Sequence, residues 1–255
     1  MLRTRVIPAL LLKNDGLVKT IRFKDPTYVG DPINAVKIFN DKEVDELLFI
    51  DIQATREKRT PNFELVSRIS REAFMPFGYG GGIRNLEDVN KLLRLGVEKV
   101  SINAYAIENP DFIKKAAQNV GSQSVVASID VRQDSSGRHW VFDYRSGTTT
   151  KLDPVTSAIL MEKNGAGEIL LNSVDRDGTF SGYDINIIRK VSSSVGIPVI
   201  ALGGAGKIGD FAEAVKVGGA SAVAAGSFFV FHGPHRAVLI TYPAKDELKK
   251  VFSGF

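Results

Sequence analysis

Eight short apolar runs recur along this chain, at residues 6–12, 47–52, 75–79, 99–103, 124–130, 168–172, 197–202 and 222–226. Val/Ile/Leu-rich runs of this length suit parallel strands whose sheet is covered on both faces. Helical stretches with recognisable punctuation separate them. Asp31-Pro32, Asn109-Pro110 and Asp153-Pro154 each offer an N-cap followed by a first-turn proline. Asn85 precedes the acids Glu87 and Asp88, which suit a first helical turn. Gly96, Gly165 and Gly218 each follow a helical stretch, where a C-terminal cap belongs. Strand and helix alternating eight times predict an α/β chain folded as one (β/α)₈ barrel. Its 255 residues match the roughly 250 such a barrel needs.

The two halves echo one another. Gly80-Gly81-Gly82-Ile83 follows the third run and Gly203-Gly204-Ala205-Gly206 the seventh; long inserts follow the first (residues 13–30) and the fifth (residues 131–150). Each matched pair lies four strands apart, the pattern of a duplicated half-barrel. One domain is expected over residues 1–255, with halves of about 1–121 and 122–255.

Composition narrows the function. The net charge of +4 comes from scattered basic residues, which argues against nucleic acid and suits a small anionic substrate. The absence of cysteine removes thiolate chemistry and Cys-based metal sites. His232 and His235 flank Gly233-Pro234 and read as solvated loop histidines, so no metal and no cofactor are expected. No apolar run reaches the roughly 18 residues that span a bilayer. Residues 6–12 lack a cleavage pattern and read as a strand, so a cytoplasmic protein without membrane contact is expected.

In such barrels the working face lies at the C-terminal ends of the strands. Gly81, Gly82, Gly203 and Gly204 fall there, with Asn103, the Asp177-Gly178-Thr179 turn and Gly226-Ser227 at the ends of strands four, six and eight. Such glycines either make tight strand-to-helix turns or bring backbone N–H groups to a phosphate; two turns in symmetric places favour two phosphate cradles. Asp130 closes strand five, where a carboxylate is costly unless used or paired, and it is the candidate general acid or base. Asp51 ends strand two with a more even balance between these roles. Lys19, in the first insert, is placed to close over an anion. At the opposite end Arg5, Glu46, Lys99 and Glu168 stand at the starts of strands one, two, four and six. Such charges are ordinarily capping ion pairs; a ring of four could also gate the barrel axis.

These residues together resemble the cyclase subunit of imidazole glycerol phosphate synthase, the HisF family, over essentially the whole chain. The resemblance rests on Arg5-Val6-Ile7-Pro8, Gly30-Asp31-Pro32, Asp45-Glu46-Leu47, Gly80-Gly81-Gly82-Ile83, Lys99-Val100-Ser101-Ile102-Asn103, Gly121-Ser122-Gln123, Gly165-Ala166-Gly167-Glu168, Asp175-Arg176-Asp177-Gly178-Thr179 with Ser181-Gly182-Tyr183-Asp184, and Gly203-Gly204-Ala205-Gly206-Lys207. It implies a glutaminase partner docked on the barrel bottom as a heterodimer. Ammonia would pass a gate of Arg5, Glu46, Lys99 and Glu168 to a substrate with two phosphates at the top. Two aspartates, ending strands one and five, would do the acid–base work.

The chain departs from that pattern in one decisive place. Asp130 matches the strand-five aspartate, but Leu11 stands where the family has the strand-one aspartate. Asp15 lies four residues on, roughly 13 Å along an extended chain, and does not replace it. Gln53, Ala104 and Asn172 also depart near the expected pocket. With the opening residues 10–20, this resembles a divergent branch of the family. That branch works with a glutaminase and an ATP-using sugar amidotransferase to form acetamidino groups on nucleotide-activated sugars of bacterial surface glycans. The alternatives are the histidine-pathway cyclase with altered acid–base chemistry, and a non-catalytic barrel that docks and activates a glutaminase.

Overall fold

The computed structural model describes residues 4–253. Eight parallel strands close into a barrel: β1 (Arg5–Lys13), β2 (Leu47–Asp51), β3 (Phe77–Gly80), β4 (Lys99–Ile102), β5 (Val125–Gln133), β6 (Glu168–Ser173), β7 (Val199–Leu202) and β8 (Ala222–Ala225). Each pairs with the next, β8 pairs with β1 through Arg5–Pro8, and no edge is left open. Closure pairs every backbone donor and acceptor of a two-face-buried sheet. Eight principal helices clothe it: α1 (Pro32–Asp41), α2 (Phe63–Glu72), α3 (Leu86–Arg94), α4 (Asp111–Val120), α5 (Pro154–Lys163), α6 (Ile185–Ser192), α7 (Ile208–Lys216) and α8 (Lys245–Ser253). Among the described residues no helix is long and apolar enough to cross a membrane.

The pleat sorts each strand into two cores. Val6, Leu10, Leu12, Phe49, Ala127, Ile129, Ile169 and Leu171 point outward into the large layer between sheet and helices. Ile7, Ala9, Leu48, Val126, Leu170, Ile200, Leu202, Ala222 and Ala224 fill the barrel. Every second residue therefore faces the axis.

Most of the expected punctuation works as read. Asp31, Asn85 and Asp153 accept hydrogen bonds from the backbone N–H of Asn34, Asp88 and Thr156. Asn109 does not cap its helix: its N–H closes a short preceding helix (Ala104–Glu108) onto Tyr105, and α4 starts after Pro110 without a side-chain cap. Two strands begin two residues later than their apolar runs. Pro76 and Pro198 lie just ahead of β3 and β7 and contribute only carbonyls, accepting from Leu47 and Ile169. Proline has no N–H to extend the ladder. The two inserts are ordered extensions of the sheet. Gly16–Ile21 and Lys24–Gly30 form a hairpin on β1, and His139–Asp143 folds back on β5. A further small hairpin, Phe231–His232 with Ala237–Val238, carries the exposed His232 and His235.

Gly81 shows why the turns above the barrel need glycine. Its φ is +115°, and a Cβ there would stand 2.4 Å from the Asp51 carbonyl oxygen. Gly203 repeats the arrangement four strands on, with φ +93° and the Ser173 oxygen 2.6 Å away. Gly137, at φ +81°, meets nothing within 4 Å. Gly81→Ala should therefore cost more than about 2 kcal/mol, combining strain with collision. Gly137→Ala should cost only the conformational part, about 1 kcal/mol. Urea unfolding of both variants measures the difference; equal losses would show that the contact with Asp51 is not the constraint.

Candidate active site

The C-terminal ends of the strands surround a cavity of about 140 Å³. Its two sides differ in chemistry. Ala9 and Leu11 of β1, Ile50 of β2, Ile52 beyond it and Leu202 of β7 make an apolar wall. Ser101 and Asn103 from β4 and its end, Ser128 and Asp130 of β5, and Asn172 of β6 make a polar one. β1 and β5 are opposite strands of the closed barrel, so Leu11 and Asp130 belong to opposite walls. Asp15, at the tip of the first hairpin, accepts from Asn62 Nδ2 at 3.0 Å and does not line the cavity.

Asp130 is buried, and each of its oxygens has one amide donor. Asn172 Nδ2 donates to Oδ1 at 3.1 Å and Asn103 Nδ2 to Oδ2 at 3.0 Å. Burial pushes its carboxyl up to about 7; the two amides oppose the shift, while Asp177 and Asp143 add to it. A carboxyl that titrates near neutrality can both take and return a proton.

Lys19 reaches in from the first insert. It is 4 % exposed, and its ammonium donates to the Ala9 carbonyl. Burial lowers it to about 8, against the pull of Asp177. A Cβ on Gly226 would come within 2.7 Å of Lys19 Nζ, so this glycine makes room for the ammonium. Lys19, Gly226 and Ser227 thus meet at one end of the cavity, and Gly81, Gly82, Asn103 and Arg84 at another part of its lining. Gly82 N–H faces Thr55 Oγ1 at 3.4 Å, and Arg84 Nη2 donates to the Thr55 carbonyl at 3.3 Å.

Other expected residues sit differently. Asp177 lines the cavity, accepts from Thr20 Oγ1 at 2.9 Å and shares its carboxylate with the Phe23 N–H. Gly178 packs against the Thr20 backbone, and Thr179 Oγ1 donates to the Arg176 carbonyl at 2.7 Å; neither lines the cavity. Gly203 and Gly204 do not line it either. The Gly204 carbonyl accepts from Gly182 N–H at 2.8 Å, and a Cβ on Gly204 would stand 2.1 Å from the Gly182 oxygen. Asp51 also lines the cavity; it is held by Arg59 at 3.2 Å and caps the N–H groups of Gln53 and Ala54.

Sequence reading missed the mouth of the cavity. Phe23 packs edge-on against Phe142 and Tyr144, and Arg56 lies 3.9 Å over the Tyr144 ring. The hairpin carrying Phe142 and Tyr144 is pinned by a buried pair, His139 Nε2 to Asp184 Oδ2 at 2.8 Å. No local signal announces contacts between residues 45 or more positions apart. Arg84 was findable, since it follows Gly80-Gly81-Gly82-Ile83 directly.

At the other end of the barrel the four charges meet. Arg5 bonds Glu46 and Glu168, both at 2.5 Å, and Lys99 reaches Glu168 at 3.0 Å and Glu46 at 3.4 Å. Each group touches two of opposite sign, giving a neutral plug across the axis. Burial works to lower Arg5, but Glu46 and Glu168 outweigh it and raise its pKa. Above the plug lies a cavity of about 10 Å³, lined by Glu46 and Lys99 and by Ile7, Leu48, Ser101 and Leu170. Ser101 and Leu170 also line the upper cavity, so plug, inner cavity and upper cavity follow one another along the axis.

A parallel barrel with its cavity at the C-terminal ends of the strands and a charged plug at the other end defines the class. Comparison with known proteins defines the family. The family model for histidine biosynthesis proteins matches residues 5–234. Over 97% of its length the chain is 53% identical to 99% of a Pseudomonas aeruginosa protein named "Putative imidazole glycerol phosphate synthase subunit hisF2". It is 42% identical to the imidazole glycerol phosphate synthase subunit HisF of Alkaliphilus metalliredigens, over 91% of this chain and 92% of that one. It is 47% identical to the subunit of the same name from Hyphomonas neptunium, over 91% of each. The chain belongs to the HisF family of histidine biosynthesis proteins.

Asp130 makes stability depend on pH with a definite sign. Its folded pKa of about 7 exceeds the roughly 3.9 of an unfolded aspartate, so the folded chain holds the extra proton between those values. The stability it contributes is complete below about pH 4 and is lost as pH rises through about 7, a change on the order of a few kcal/mol. Asp130→Asn abolishes the titration. The variant should melt above the wild type at pH 8, with the gap closing toward pH 4; a gap that does not vary with pH would assign the titration elsewhere.

Proposed function

We propose that this chain is the ammonia-receiving synthase subunit of a glutamine-dependent complex. A glutaminase docks on the N-terminal face of the barrel as the other half of a heterodimer. Ammonia passes the plug and moves along the axis to a phosphorylated substrate in the upper cavity. The observation that carries this reading is the axial succession of plug, inner cavity and upper cavity, joined by Ser101 and Leu170. The inner cavity's volume of about 10 Å³ suits one water-sized molecule, and ammonia is of that size. Lys99 is the movable member of the plug: its flexible ammonium makes the longer contacts, whereas the planar fork of Arg5 holds both carboxylates at 2.5 Å. The substrate's anionic ends fit Lys19 with Gly226 and Ser227 on one side and Gly81, Gly82 and Arg84 on the other. Gly178 packs on the Thr20 backbone next to Lys19, whereas Gly203, Gly204 and Thr179 lie outside the lining and take no part in these cradles.

Leu11 points the chemistry away from ring closure. Leucine transfers no proton, and of the other carboxylates in the lining Asp51 is tied to Arg59, Glu108 to Arg145 and Asp177 to Thr20, which leaves Asp130 on the opposite wall. The reading is therefore amidination of a nucleotide-activated sugar for surface glycans, shared with an ATP-using sugar amidotransferase. The retained Asp130, with both amide donors in place, favours a second reading, the histidine-pathway cyclase with altered acid–base chemistry. A barrel that only docks a glutaminase would have no use for a buried lysine and carboxyl facing a cavity.

Loss of one positioned proton-transfer group costs on the order of 10²–10⁴-fold in rate. Expression in a cyclase-deficient strain should therefore fail to restore growth without histidine; growth equal to that with the native enzyme would sink the first reading. Leu11→Asp, assayed with free ammonia, should gain cyclase activity only if the missing carboxylate is the sole obstacle.

Lys99→Ala should leave the partner's glutamine hydrolysis in place but uncouple it from product. The ratio of glutamate released to product formed measures this. An unchanged ratio would reduce the plug to a structural ion-pair ring.

A further inference from the structure

Asn172 pays an unusual cost for its position. Its Oδ1 is the only buried side-chain nitrogen or oxygen among the described residues without a hydrogen-bond partner. The residue is 6 % exposed, lines the upper cavity and points inward from β6, two residues above Leu170 and four above Glu168. The apolar wall at this level is built from Leu11, Ile52 and Leu202, so an apolar side chain would satisfy packing here. An amide that leaves its acceptor unmatched is unfavourable unless its donor is needed. That donor goes to Asp130 Oδ1, while Asn103 serves Oδ2.

We propose that Asn172 is a positioning residue for Asp130: with Asn103 it clamps the carboxylate from both sides and holds it ready for proton transfer to and from a nitrogen nucleophile in the cavity. This rests on the reading of the upper cavity as the place where ammonia reacts. The amide orientation is the one an ionised carboxylate requires, because the reversed amide would set Oδ1 against a carboxylate oxygen.

The charged and titratable groups around Asp130 do not substitute for this clamp. Asp177, beyond β6, and Asp143, on the hairpin following β5, both disfavour the ionised form. Tyr144 faces the same space and is itself raised by burial, with Asp130 adding to the effect. Lys19 spends its ammonium on the Ala9 carbonyl and lies in the field of Asp177. Asn103 and Asn172 are the two groups that favour the carboxylate directly.

The test is a ¹³C titration of the Asp130 carboxyl in the isolated chain, with the signal assigned by its loss in Asp130→Asn. Asn172→Leu should move the midpoint up from about 7 by roughly one to two pH units, the worth of one hydrogen bond to a charged group. Asn172→Ala removes atoms without adding any, and should shift in the same direction should the leucine variant fail to fold. A wild-type midpoint in the folded variants would overturn the proposal and leave Asn172 as a space-filling residue. Neither partner nor ammonia enters this measurement, so its failure is separable from failure of the proposed function. If the clamp is real but no ammonia reacts here, the titration shifts while the coupling ratio of Lys99→Ala does not.

Discussion

Closure of the parallel sheet is the constraint on which the rest depends. Once β8 pairs with β1, every second side chain of eight strands must share one narrow axis. Most of that space is filled by small and branched apolar residues, which need no partners. A polar group pointing the same way has to find a partner on a neighbouring or facing strand or bear the cost of desolvation. Arg5, Glu46, Lys99 and Glu168 find each other at the bottom, and Asn103, Asp130 and Asn172 do so near the top. Between them single strands run as ladders: Glu168, Leu170 and Asn172 on β6; Lys99 and Ser101 on β4, continued by Asn103. The charged plug and the Asp130 cluster are therefore held at a separation set by strand rise alone.

The upper end is completed by segments that the barrel does not need. The first hairpin turns through Arg22 and Phe23, both at positive φ, 53° and 64°. Such turns favour glycine or asparagine, so this pair is strained. The strain is held by contacts. Arg22 N–H bonds the Asp177 carbonyl, and Phe23 lodges between Phe142 and Tyr144. Lys19 lies on the same hairpin, so its entry into the cavity and the aromatic cover of the mouth are one event. Asp177, raised by its own burial but bonded to Thr20 and close to Lys19, ties that hairpin to the loop after β6.

The departure at Leu11 gains its meaning from this geometry. A leucine in a strand is unremarkable by itself. On β1, facing inward at the level of the cavity, it joins Ala9, Ile50 and Leu202 in an apolar stretch of the lining opposite Asp130. The same applies to Asn172, which reads in sequence as one more polar residue closing a strand. In the folded chain it is a donor spent on Asp130 with its own oxygen left unmatched.

What the sequence determined by itself is the architecture and the level of each group along the axis. Apolar runs, caps and glycine turns are local, and a period of two assigns Arg5 to one end of β1 and Leu11 to the other. The strand starts at Phe77 and Val199 are legible too, since Pro76 and Pro198 have no N–H to offer the ladder. Tertiary structure decided which groups touch. Whether Gly204 opens onto the cavity or is covered by Gly182, whether Lys19 points in or out, and which amide serves which oxygen of Asp130 all depend on loops from distant parts of the chain. Those contacts are set by the collision distances and hydrogen bonds of a closed barrel, where residues far apart in the chain meet, and no local pattern in the chain encodes them.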